Sequence, residues 1–184
     1  MNSARSLGSY PAARPLTADQ VTEFHAARLL LLLHLGSTSN RIDGLTKLAK
    51  LDFFVRYPEF FARAASYSGS GVALASSARV EAPMIRHHYG PWDPRYYQVL
   101  AYLEGRELVT VSKDRKAFVF TLTDNGISVA RQLASNEAFQ NLSAQIQAVK
   151  RIFGKKSGDT LKKLVYRIFD AEVAQLALGE AIQQ

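Results

Sequence analysis

The sequence predicts an α+β fold, mostly α: a helical chain interrupted by one two-stranded ribbon. Three observations predict it. Apolar residues recur at helical spacing in most segments between turn signals, and one pair of runs alternates with the period of a β-ribbon. The hydrophobic fraction of 47% beside 21% charged residues is that of a chain that buries a core. At 184 residues the chain suits one compact unit with an added helical segment better than two large cores. The expected organisation is a disordered tail at 1–16, a folded domain at 17–135 and a C-terminal helical extension at 136–184.

The tail mixes Ser, Gly, Pro and Arg without periodicity. Thr17 then stands three residues before Gln20, ahead of Val21 and Phe24, and this capping-box spacing opens a helix over 18–35. It carries five consecutive leucines at 29–33, bounded by Arg28 and His34. The run falls well short of the roughly 20 apolar residues needed to span a bilayer. A buried core helix or an interface helix is expected instead, with Leu29, Leu30 and Leu33 as candidates for partner binding.

A second helix is expected over 42–57, ending before Pro58, because the residue before a proline is biased away from helical geometry. A short helix over 59–65 leads into a loop over 67–77 rich in Ser, Gly and Ala. In Tyr89-Gly90-Pro91-Trp92-Asp93-Pro94, Gly90 and Pro91 make a turn, Asp93 suits a helix cap and Pro94 the first helical position. The helix that follows ends at Gly105; Tyr96, Val99, Leu100 and Leu103 form its buried stripe, and Arg95, Gln98 and Tyr102 point outward.

Residues 108–112 and 117–121 alternate and are joined by Lys113-Asp114-Arg115-Lys116, a ribbon with Phe118, Phe120 and Leu122 on one face. Thr123-Asp124-Asn125-Gly126 opens a helix to about 134. Phe139, Leu142, Ile146, Val149 and Phe153 then follow at spacings of three and four, an apolar stripe on a helix over 137–153 that something must cover. Phe139, Leu142 and Ile146 are further partner-binding candidates. Gly154 ends that helix, Ser157 or Asp159 caps the next, which carries Leu161, Leu164, Val165 and Ile168, and Asp170 opens a last one through Val173 and Leu176.

No catalytic constellation is legible, and a non-enzymatic chain without cofactor or metal is expected. The absence of cysteine removes disulfides, thiolate metal sites and a thiol nucleophile, and fits a cytoplasmic location. The adjacent His87 and His88 diverge on a strand or on a helix, so they make no two-ligand site. Neither Gly154-Lys155-Lys156-Ser157 nor Gly44-Leu45-Thr46-Lys47 has the upstream glycine of a phosphate-binding loop, and the serines at 66–70 contain no nucleophile elbow.

The net charge of +7 favours polyanionic partners. At the ribbon tip Lys113, Arg115 and Lys116 suit phosphate contacts, or are simply a solvated turn. Within 150–167, Lys150, Arg151, Lys155, Lys156, Lys162, Lys163 and Arg167 stand against Asp159 alone, either a basic docking patch or the solvated face of a helix pair. Arg95 and Gln98 have the chemistry to read guanine and adenine edges. Glu104 and Glu107 oppose phosphates at the end of the same helix, while Tyr97 and Tyr102 suit a protein contact as well as a nucleic acid.

Helix, helix, turn, helix, ribbon, helix is the order of a winged helix-turn-helix domain, in which the helix before the ribbon is the recognition helix and the ribbon the wing. Over about 42–133 the chain resembles bacterial winged-helix regulators of the MarR and PadR kind, above all in Phe120-Thr121-Leu122-Thr123-Asp124-Asn125-Gly126, which is similar to their wing exit. A second resemblance lies in Arg41-Ile42-Asp43-Gly44-Leu45-Thr46-Lys47-Leu48-Ala49-Lys50-Leu51-Asp52-Phe53-Phe54 together with Tyr89-Gly90-Pro91-Trp92-Asp93. These resemble the small middle components of three-component bacterial defence systems built around an SMC-like ABC ATPase.

That resemblance implies an accessory subunit bound beside the ATPase and its effector subunit in immunity against phage or plasmids. Double-stranded DNA and a second copy of the chain are further candidate partners; a membrane is not. The alternative implied by the first resemblance is a stand-alone transcriptional regulator, dimerising through its first helix and its C-terminal helical segment.

Overall fold

The computed structural model describes residues 20–71, 83–114 and 117–183. Among the described residues 61% are helical and 15% lie in strands, with a small antiparallel sheet, so the fold is α+β and mostly α. The expected tail at 1–16, the opening of the first helix, the end of the loop expected at 67–77 and the ribbon-tip residues Arg115 and Lys116 lie outside the described residues.

Helix α1, Thr22–Leu35, is buried without interruption from His25 to Leu33. A helix apolar on nearly all sides belongs in the middle of a structure, and the helices Leu45–Arg56, Tyr96–Gly105, Asp124–Ser135 and Gln140–Phe153 pack against it. Leu29 and Leu33 have no exposed surface and Leu30 has 2%. These leucines are therefore core and not a partner-binding face.

The short strand β1, Arg41–Asp43, comes next, then α2, Leu45–Arg56, and α3, Pro58–Tyr67. β1 occupies the first residues of the helix expected over 42–57. Tertiary pairing overrides local preference there, because Ile42 sits opposite Phe120 and the Gly44 N–H donates to the Phe118 carbonyl at 2.8 Å. Gly44 turns the strand into the helix at φ 93°, a conformation that costs glycine little.

Strands β2, Ile85–His87, and β3, Gly90–Trp92, form a tight hairpin in place of the plain turn expected at Gly90-Pro91. The segment 179–182 runs along its free side: Arg86 N–H donates to Glu180 O, Gly179 N–H to Arg86 O and Ile182 N–H to Met84 O, each at 2.8 Å.

Helix α4, Tyr96–Gly105, ends where expected and buries the expected stripe of Tyr96, Val99, Leu100 and Leu103. Strands β4, Val109–Asp114, and β5, Ala117–Leu122, pair in register from Val109–Leu122 to Asp114–Ala117 and complete a sheet of order β1-β5-β4. Phe120 and Leu122 are buried on it as expected. Phe118 is not: it is 48% exposed, because the outer end of the ribbon projects past the core.

Helix α5, Asp124–Ser135, is capped by the Thr123 hydroxyl, which accepts from Gly126 N–H at 2.9 Å. Asn136 caps a 3-10 turn at Glu137–Phe139, so the helix expected from 137 begins at 140, as α6, Gln140–Phe153. Ser157 caps α7, Gly158–Ile168. The last expected helix is a single π turn, Asp170–Ala174.

One hydrophobic cluster runs from Ala26 to Ile182, and α6 and α7 pack on α1 and α2. The stripe of the segment expected as an extension, with Ile146, Val149 and Phe153 fully buried, thus closes the core of the same unit. Ile146 is core for that reason, not a contact for a partner. No helix among the described residues is long and apolar enough to cross a membrane.

Candidate functional site

The start of α4 is set by a buried ionic network. Asp93 accepts from Arg95 N at 3.0 Å, from Arg95 Nε and Nη2 at 2.8 Å each, and from Arg56 Nη1 at 2.7 Å. Asp52 accepts from Arg28 Nε at 2.8 Å and from the Tyr96 hydroxyl at 2.7 Å. The His25 ring lies between them, with Nδ1 2.9 Å from Arg28 Nη1 and Nε2 2.9 Å from Arg95 Nη1. Burial alone pushes the Asp93 carboxyl up, but the hydrogen bonds from Arg95 and the charge of Arg56 outweigh it and hold the group well below the usual carboxylate range. Burial, and then the Asp52 charge, push the Tyr96 phenol well above its ordinary value.

Arg95 therefore turns inward. Its guanidinium was expected to meet base edges, yet it forms a fork on Asp93 and reaches His25, and its side chain is only 27% exposed. Carboxylate and guanidinium two residues apart find each other before a ligand does. The solvent face of α4 is left with Tyr97, 65% exposed, and with Gln98, Ala101 and Glu104. Tyr102 is half-buried; its hydroxyl donates to Glu23 at 3.3 Å and Arg106 lies over its ring.

The hairpin β2–β3 is clamped from below. Lys50, 1% exposed, donates from Nζ to the Pro91 carbonyl at 2.8 Å. Burial, with the charge of Lys162 added, pushes its amine down to about 7. Above the clamp the rings of Tyr97, Trp92, His87 and His88 form a row. Successive centroids are 5.7, 5.4 and 4.9 Å apart, and Trp92 stacks on His87 at 29°. Tyr89, 58% exposed, continues from the hairpin turn under the Lys162 amine, 5.5 Å from its centroid.

The predicted cations divide into two groups. Lys113 is exposed near the outer end of the ribbon, beside Phe118 in the register. Phe118 bonds through its carbonyl to Gly44 at the foot of α2, and the turn between α6 and α7 packs against the same foot: a Cβ on Gly158 would stand 2.9 Å from Lys47 N. Exposed Lys155 and half-buried Lys156 lie in that turn. Lys113, on the β4 side, and Lys47, Lys155 and Lys156, on the β1 and α2 side, thus flank the Phe118 end of β5 and give that end of the sheet a basic edge. Lys162 and Lys163 lie further along α7, by the hairpin, where both pair with Asp159 at 3.2 and 2.7 Å.

Of the predicted partner-binding residues, Tyr97 is exposed, whereas Phe139 and Leu142 are partly buried against the core. The ring row was not anticipated as a site, although the density of aromatic and imidazole side chains over 87–97 is visible in the sequence. Among the described residues no group of three or more His, Asp or Glu side chains is placed to hold a metal ion. No family model, curated protein or solved structure matches this chain.

Proposed function

We propose that this chain is a non-catalytic winged-helix subunit that docks on a protein assembly, an SMC-like ABC ATPase of a bacterial defence system, and touches double-stranded DNA through its basic edge. The observation that carries this is the succession of α4, a β4–β5 ribbon and α5, with the ribbon anchored through β1 to the foot of α2. In a winged helix α4 is the recognition helix. Its solvent face here presents Gln98, Ala101 and Glu104, with Arg95 engaged by Asp93 and His25. A helix so poor in available cations is ill-suited to a phosphate-lined groove and well suited to a protein surface.

A stand-alone dimeric regulator has less behind it. Its dimer face was to come from α1, whose leucines are spent in the core, and its base-reading arginine is spent on Asp93. Co-expression with the products of its neighbouring genes tests the proposal: an SMC-like ATPase is expected among them and a stable complex with it by size exclusion, and Ala101→Arg on the exposed face of α4 should break that complex. A free chain that footprints one palindromic operator as a symmetric dimer would overturn it.

A further inference from the structure

We infer that the ring row Tyr97–Trp92–His87–His88, continued by Tyr89 and flanked by Lys162 and Lys163, is a binding site for single-stranded nucleic acid. Sequence-tolerant recognition of unpaired nucleotides needs flat faces on which bases stack and cations that follow the backbone. Both occur here side by side. Tyr97 and Tyr89 are 65% and 58% exposed, and both histidines of the row are exposed. The Lys162 amine lies over Tyr89, and Lys163 is 69% exposed one residue on.

The platform is preorganised. Trp92 rests edge-on against buried Tyr96, 5.1 Å between centroids at 82°, and Tyr96 is pinned by Asp52. Pro91, next to Trp92, is held by Lys50, and Tyr166 donates to the His88 carbonyl at 3.3 Å. The rings therefore lose little freedom when a ligand stacks on them. Burial, and then the neighbouring His88 and Lys50, lower the pKa of His87. A duplex hides its bases and gains nothing from such faces, so the row selects unpaired strands. It lies at the first turn of α4, whereas the ribbon follows the last, roughly 15 Å away along the helix. The inference does not depend on the winged-helix proposal.

Trp92 is the single tryptophan of the chain, so its fluorescence reports on this site alone. Titration with an oligothymidylate of roughly 15 nucleotides should quench it saturably, with affinity falling as salt rises, and the matching duplex should quench it weakly. His87→Ala and Tyr89→Ala, both at exposed positions, should each weaken binding about tenfold, and Lys163→Ala should lower the salt slope by about 0.7. His87→Ala and Tyr89→Ala, on the hairpin and not on α4, should leave the ATPase complex intact, which separates this site from the proposed ATPase-docking face. Absence of quenching, equal binding of duplex, or binding indifferent to His87→Ala and Tyr89→Ala would overturn the inference. So would quenching by the ATPase with none by the oligonucleotide, which would make the row a protein contact.

Discussion

The amine of Lys50 donates to the carbonyl of Pro91 at 2.8 Å from a position almost wholly removed from water. The hairpin that carries Trp92 is thus fastened to α2 by a group that would rather be neutral. Burial moves the Lys50 amine from its ordinary 10.5 to about 7, so the unfolded chain holds more protons than the folded one between those values. Stability must therefore rise with pH across that window, and below it the whole cost of a buried ammonium is present. Lys50→Met should remove this slope and, near pH 7, raise stability by a few kcal/mol, less about 1 kcal/mol for the lost hydrogen bond. Urea unfolding of both proteins at pH 7 and pH 9 checks it; parallel changes in the two would refute it.

Asp93 gives the opposite dependence. Its carboxyl is held below the usual range by Arg95 and Arg56 in spite of burial, so its contribution is complete above its unfolded value of 3.8 and is lost as pH falls through the lower folded value. Asp93→Asn leaves Arg56 facing a neutral amide and should cost about 3–5 kcal/mol at pH 7. The difference between the two proteins should shrink as pH falls below 4, measured by chemical denaturation; a constant difference would assign the cost to packing.

Which features were legible in the sequence follows from their length and from what competes for each side chain. The stripe of Tyr96, Val99, Leu100 and Leu103 spans several repeats of its period, so local pattern sufficed there, and it placed the ribbon too, although Phe118 is exposed and Val119 buried against the alternation. β1, β2 and β3 are three residues each, too short to show a period, and β3 contains Pro91. The leucines of α1 fit a core and an interface equally well until α4, α5 and α6 are seen to cover that helix. The outward assignment of Arg95 failed because helical phase ignores a carboxylate two residues back. The ring row escaped notice because only the hairpin register brings His87 to Trp92.

Gly126 offers a test of how the ribbon joins α5. In an open helix, glycine to alanine stabilises by up to about 1 kcal/mol. Here a Cβ would stand 1.9 Å from the Leu108 carbonyl oxygen, a backbone atom that cannot step aside, while the same carbonyl accepts from Thr123 N–H at 3.1 Å. Gly126→Ala should therefore destabilise, by about 2 kcal/mol or more. Thermal unfolding reads the sign directly, and a raised Tm would show that the close approach is absent in solution.

Arg95 and Lys113 are both cations offered by the sequence for nucleic acid, and the structure gives them different work. Arg95 is engaged by Asp93 and His25, so Arg95→Ala should cost about 1–3 kcal/mol of folding stability by leaving the buried Asp93 carboxylate with Arg56 as its remaining charged partner. It should leave duplex affinity, measured at a temperature where both proteins are folded, unchanged. Lys113 is exposed on the ribbon and Lys155 in the turn that packs beside the foot of α2. Lys113→Ala and Lys155→Ala should leave stability within about 0.5 kcal/mol of the parent. Each should weaken duplex binding alike for every sequence and lower the salt slope by about 0.9. Anisotropy titrations with two unrelated duplexes at several salt concentrations separate the cases. A loss that depends on the duplex sequence would return base reading to α4, and no loss at all would make the basic edge a solvated surface.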